Sequence, residues 1–191
     1  TQLDMVLINW YFPSQEAGSY AAASVFGKAI LYLPGGIVLA LFPMVAKNHA
    51  TNVGSFYLIR NAVIITLLMC GSLALAYWLL GDWLISLFYG NRYIDSGKIL
   101  RLYGLVMLPM ALVMVAEHFL IAQGRTLFCW LYLFILPFQF LAVWIWHQDV
   151  WMIMVNIGVS GAILTFLGYG ILFQEWFKVH KKTEPKIIKN V

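Results

Sequence analysis

The sequence predicts an all-α fold: a polytopic membrane helix bundle of about six transmembrane helices, the first of them truncated. Three observations carry this. Residues 61–81, 126–148 and 150–174 contain no Lys, Arg, Asp or Glu, and at ~1.5 Å rise per residue each is about as long as a hydrocarbon core is thick. The 191 residues are 62% hydrophobic and only 10% charged, against ~25% charged in soluble domains. Mean hydropathy is +0.83. In lipid every backbone polar group must be satisfied within the segment, so the apolar runs are helices, and polar chemistry is confined to the few ionisable side chains between them.

In chain order the expected spans are 2–12, 20–46, 61–80, 102–123, 127–146 and 150–173. The first, ~11 residues, covers about half a bilayer. The chain opens on Thr1 without an initiator Met, so this span reads as the end of a longer helix and the chain as a fragment. It is no signal peptide, because it carries Asp4 in place of a basic n-region and ends at Pro13 without a small-residue cleavage pattern. Residues 1–177 form one six-helix membrane unit, with no room for a further soluble domain of ordinary size. Residues 178–191 form a basic tail holding Lys178, Lys181, Lys182, Lys186 and Lys189.

That tail accounts for much of the net charge of +4 and reads as a topology signal, not as a nucleic-acid surface. With the tail cytoplasmic, Lys47, Arg60 and Arg125 fall on the same side, as the positive-inside rule requires. Arg92, Lys98 and Arg101 are then outside. Their segment, 82–101, also holds Trp83, Phe88, Tyr89 and Tyr93, a composition suited to lying along the headgroups.

Two ionisable residues are expected at depth. Asp4 lies eight residues below the outer end of the first span, and Lys28 eight below that of the second, so both sit ~12 Å down and can meet. They form either an ion pair that fixes two helices or the wall of a water-filled cavity. Glu117 and His118 lie near the inner end of the fourth span, where they either snorkel to the headgroups or hold a proton or cation between them. Pro34, followed by Gly35 and Gly36, loosens the second span near its centre and is the candidate hinge; Pro43, Pro109 and Pro137 add further breaks.

Cys70 and Cys129 lie inside apolar runs with no ligand set around them, so neither a disulfide nor a metal site is expected. No GxSxG, HExxH, Walker loop, CxxC or Gly-rich dinucleotide turn occurs. The sequence therefore predicts no catalytic residue, no metal and no cofactor, and any transport would run on a gradient.

The opening 3–47 contains Asp4, then Ala17-Gly18 and Tyr20, the small-residue run Ala21 to Ser24, Leu33-Pro34 and Leu41-Phe42-Pro43. This order resembles the entry to one half of a polysaccharide-type flippase of the multidrug/oligosaccharidyl-lipid/polysaccharide exporter superfamily. The stretch 84–104, LISLFYGNRYIDSGKILRLYG, is similar to that family's Leu-Phe-x-Gly and the Leu-rich stretch before its next span. The resemblance implies two six-helix lobes around a central cavity with both termini cytoplasmic, this chain being the C-terminal lobe and the N-terminal lobe its missing partner. It further implies a bacterial plasma-membrane protein that flips undecaprenyl-pyrophosphate-linked oligosaccharide repeat units for O-antigen, capsule or exopolysaccharide, alongside membrane lipids and the polymerase machinery. Asp4 would be the intramembrane acid of the lobe and Lys28 a cavity base for the pyrophosphate. Two alternatives stay open: an ion-coupled drug or cation antiporter of the same superfamily, and a membrane-embedded glycan polymerase or acyltransferase. A Lys28 free of Asp4 favours the flippase, and a free Asp4 or Glu117 the antiporter.

Overall fold

A computed structural model describes residues 3–50, 56–124, 127–146 and 148–183. The described residues form an all-α bundle of α1 (Leu3–Tyr11), α2 (Ser14–Ala50), α3 (Phe56–Tyr89), α4 (Ser96–Ala122), α5 (Leu127–Ile145) and α6 (Val150–Thr183), with one 3-10 turn at Asn91–Tyr93. Stretches of 35, 33, 27 and 25 residues in α2, α3, α4 and α6 are long and apolar enough to cross a membrane, and α5 contributes a shorter apolar helix. The chain is a polytopic membrane protein.

The helices sit where the apolar runs put them, but four extend further, α6 among them. α2 starts at Ser14 instead of residue 20, α3 continues to Tyr89, and α4 begins at Ser96. The segment expected along the headgroups is therefore mostly two helix ends. The physical reason is pairing: Arg101 bonds to Asp82 across the α3–α4 hairpin, and Lys98 lies 3.3 Å from Asp95. Asp82, Lys98 and Arg101, which read as loop charges, are carried on helices, and Asp95 sits in the turn just before α4. α6 runs on through residues 177 and 178 to Thr183, and Arg125, Lys186 and Lys189 lie outside the described residues.

α4 is the centre of the bundle. Half of its apolar window is buried, against 24% and 22% for α2 and α3, because α2, α3 and α6 all pack around it. Its buried residues, among them Leu100, Tyr103, Met107, Val113 and Leu120, lie on several faces, as befits a helix apolar all round. α1 leans on α2, whereas α5 packs mainly on α6 and barely touches α4. α2 stays helical through Pro34, Gly35 and Gly36; Pro34 is buried and Gly36 exposed.

Two glycines stop helices. Gly90 (φ 76) ends α3 and Gly124 (φ 75) follows α4, a left-handed conformation that L side chains resist. Gly97 acts differently, by letting α3 and α4 approach. A Cβ there would meet the Asp82 side chain and lie 2.8 Å from its Cα and 2.9 Å from its backbone nitrogen. Backbone cannot swing aside as a side chain does, so Gly97→Ala should cost about 2–3 kcal/mol through overpacking. Gly71→Ala, with nothing within 4 Å of the new Cβ, should be neutral or gain up to about 1 kcal/mol from helix propensity. Thermal unfolding of both variants in one detergent checks the contrast.

Candidate functional site

The site starts from a stripe on α2. Tyr20, Ser24, Gly27 and Lys28 are spaced i, i+4, i+7 and i+8, so they share one face of the helix. The short turn at Phe12 and Pro13 folds α1 back against that face, and the amide of Ala17 bonds to the Pro13 carbonyl at 3.0 Å. Asp4 is thereby brought opposite Lys28. From the other side α4 presents Tyr103, whose ring lies directly over Gly27.

The four polar side chains converge. Lys28 Nζ lies 3.0 Å from both Asp4 Oδ1 and Oδ2. The hydroxyls of Tyr20 and Tyr103 each donate to Asp4 Oδ2 at 2.8 Å. Their two oxygens are 3.2 Å apart and their rings 5.5 Å between centroids. The side chains of Asp4 and Lys28 are 5% and 13% exposed, so the pair is almost closed off. Removing two charges from water costs several kcal/mol per ion, and that cost is met only when the remaining lone pairs are also bonded. Here the carboxylate takes an ammonium and two phenols, which is the satisfaction a buried pair needs.

Of the two sequence alternatives for Asp4 and Lys28 the structure shows the ion pair, and Asp4 also stands on the wall of a cavity of about 380 Å³ between α1, α4, α5 and α6. Lys28 is not among the residues lining it. The walls are chiefly Leu, Ile, Met and Phe, and the polar side chains among them are Asp4, Tyr132, Gln139 and Ser160.

Glu117 and His118 point to different neighbours, although the imidazole is near enough to act electrostatically on the carboxylate. Neighbours on a helix point ~100° apart. The Glu117 carboxylate is hydrogen-bonded to Tyr132 of α5. The His118 Nδ1 bonds to the Met114 carbonyl at 2.8 Å, and its ring lies beside Val38, Ala62 and Val115. Neither belongs to the Asp4 cluster, since fourteen residues of α4, ~21 Å, separate Glu117 from Tyr103. Cys70 is buried and free, its thiol 3.5 Å from the Ile30 carbonyl; the Cys129 side chain lies outside the described ones.

Sequence reasoning missed Tyr103 and treated Tyr20 as scaffold. The available signal was the stripe itself, in which Gly27 leaves a notch one residue from a largely covered lysine. Among the described residues no group of three or more His, Cys, Asp or Glu is placed to hold a metal ion. Compared with protein-family models, with curated proteins and with solved structures, the chain matches none.

Proposed function

We propose that this chain is the C-terminal lobe of a bacterial plasma-membrane flippase that moves undecaprenyl-pyrophosphate-linked oligosaccharides, with its C-terminus cytoplasmic. One observation carries the reading: the two segments that bear the family resemblance meet at one carboxylate. Asp4 and Tyr20 come from the first segment and Tyr103 from the second, and both tyrosines bond to Asp4 at 2.8 Å. Convergence on a buried polar group is what a shared functional site needs, whereas lipid-facing motif residues would have no reason to meet.

The geometry also suggests how Lys28 serves. Its partner keeps two phenolic donors when the ammonium leaves, so withdrawing Lys28 does not strand a bare carboxylate. A pyrophosphate, with more charge than a carboxylate, competes for the ammonium, and the lysine stem is long enough to turn to it. The N-terminal lobe completes the cavity, and the polymerase machinery takes the delivered repeat unit. Lys28 is bound to Asp4, so neither is free and the pair by itself favours neither reading; a second reading, a cation or drug antiporter, is favoured by the observation that Asp4, not Lys28, stands on the cavity wall.

Cells lacking the complete gene should accumulate finished lipid-linked repeat units on the inner leaflet, and the parent gene should clear them. A Lys28→Ala version should restore protein level better than it restores flipping. Loss of flipping in strict proportion to abundance would make Lys28 structural. Absence of any accumulation, together with altered sensitivity to cationic drugs, would sink the flippase reading in favour of the antiporter.

A further inference from the structure

The cavity beside Asp4 has a shape and a chemistry of its own. Its α5 wall runs from Tyr132 to Val143 and its α6 wall from Ile153 to Leu164. Each wall spans eleven residues, so the cavity is a slot ~16 Å long, parallel to the helices. A volume of about 380 Å³ spread over that length makes the slot long and narrow, a shape that suits a slender chain better than a ring or a compact headgroup.

The slot is poorly suited to water, which needs two to four polar partners in a cavity. Three of the four polar side chains on its wall are engaged within the protein, and the fourth, Gln139, offers a single amide. Asp4 bonds to Lys28, Tyr20 and Tyr103, Ser160 donates to the Asn156 carbonyl at 2.8 Å, and Tyr132 is bonded to Glu117. While Lys28 stays on Asp4 the paired charges cancel, and the rest of the wall carries no charge. The slot opens sideways. Leu136 and Phe140 line it and are nevertheless 43% and 54% exposed, and α5 carries the further exposed apolar side chains Leu133, Phe138 and Leu141. The mouth is therefore continuous with the exposed apolar surface of α5, a helix that packs little on α4.

We propose that this slot binds a single acyl chain of a bilayer phospholipid, which enters laterally past Leu136 and Phe140 and completes the packing of α5 against α1 and α4. The bilayer supplies acyl chains as bulk solvent at the mouth. A chain in the slot gains dispersion contacts with the buried Met107 and Ile157 that neither water nor an empty space provides. The two methionines, Met107 and Met110, give walls that adapt to a flexible guest. The inference stands apart from the identity of any transported substrate.

The test reconstitutes the whole protein into vesicles of phosphatidylethanolamine and phosphatidylglycerol that contain a phospholipid with a diazirine at mid-chain. After illumination, labelled peptides are mapped by mass spectrometry. Label is expected on Met107, Met110 and Ile157 as well as on the outward Phe138 and Phe166. Ile157→Phe, or Ser160→Phe if the first fails to elute like the parent, fills the slot and should remove the label from Met107 and Met110 while leaving it on Phe166. Label confined to outward residues overturns the proposal, and so does label on Met107 that persists in both filled variants. Displacement of that label by equimolar polyprenyl phosphate would also overturn it, because the slot would then belong to an isoprenoid chain.

Discussion

Asp4→Ala should destabilise the lobe by about 3–5 kcal/mol, the range for breaking a buried pair by removing one partner. Lys28 would be left with a side chain only 13% exposed, facing two phenols that have lost their shared acceptor. Some of the cost returns if Lys28 stretches toward the headgroups, so the low end of the range applies if it escapes. Replacing both charges, as Asp4→Leu with Lys28→Met, should recover most of the loss, since well-packed apolar residues commonly match a buried pair. Unfolding of the two single variants and the double one in the same detergent gives the coupling directly. Additive losses would mean that the two residues do not stabilise each other. The reversed pair, Asp4→Lys with Lys28→Asp, should rescue only in part. The tyrosines now donate to position 4 and an ammonium accepts nothing, so both hydroxyls must turn.

That Asp4 and Lys28 could meet was legible in the sequence, because lipid makes depth countable and both charges lie eight residues from the same surface on successive helices; whether they pair was not. The spans were legible for the same reason, as hydrocarbon thickness dictates apolar length. The extra turns of α3 and α4 were not. Asp82 and Arg101 look like loop residues one at a time, and only their pairing across the hairpin lets helices carry them. Tyr103 was hidden by its type, since a tyrosine near a helix end resembles interfacial residues such as Tyr89 and Tyr93. That Glu117 and His118 reach different hydrogen-bond partners, Tyr132 and the Met114 carbonyl, could have been read from the helical period alone. The slot could not, because it depends on where α5 rests, and a helix apolar on every face carries no period to orient it.

Gly27→Ala is the second large effect expected. In an unencumbered helix this change would stabilise by up to about 1 kcal/mol. Here the new Cβ would fall within the edge of the Tyr103 ring, 2.5 Å from Cγ and 2.9 Å from Cβ. The ring cannot retreat easily. Its hydroxyl is held by Asp4 at 2.8 Å, and behind it Gly104 already packs α4 close on α3, where an added Cβ would lie 3.3 Å from the Ala74 Cα. α2 and α4 must therefore part, which pulls Tyr103 away from the carboxylate. Overpacking costs about 1–3 kcal/mol, and a lost hydrogen bond to a charged group about 1.5–3 kcal/mol. The expected total is about 3–5 kcal/mol, as large as the loss of Asp4 itself, from a methyl group that carries no charge. A compensating change separates the causes. Tyr103→Leu in the Gly27→Ala background frees the space, so the double variant should be more stable than Gly27→Ala alone even though it lacks the hydroxyl. Thermal unfolding of the three proteins decides it. A Gly27→Ala protein as stable as the parent would mean that Tyr103 is not seated on α2 and that Asp4 is held by fewer donors than the geometry requires. A loss that Tyr103→Leu only deepens would place the strain elsewhere on α2.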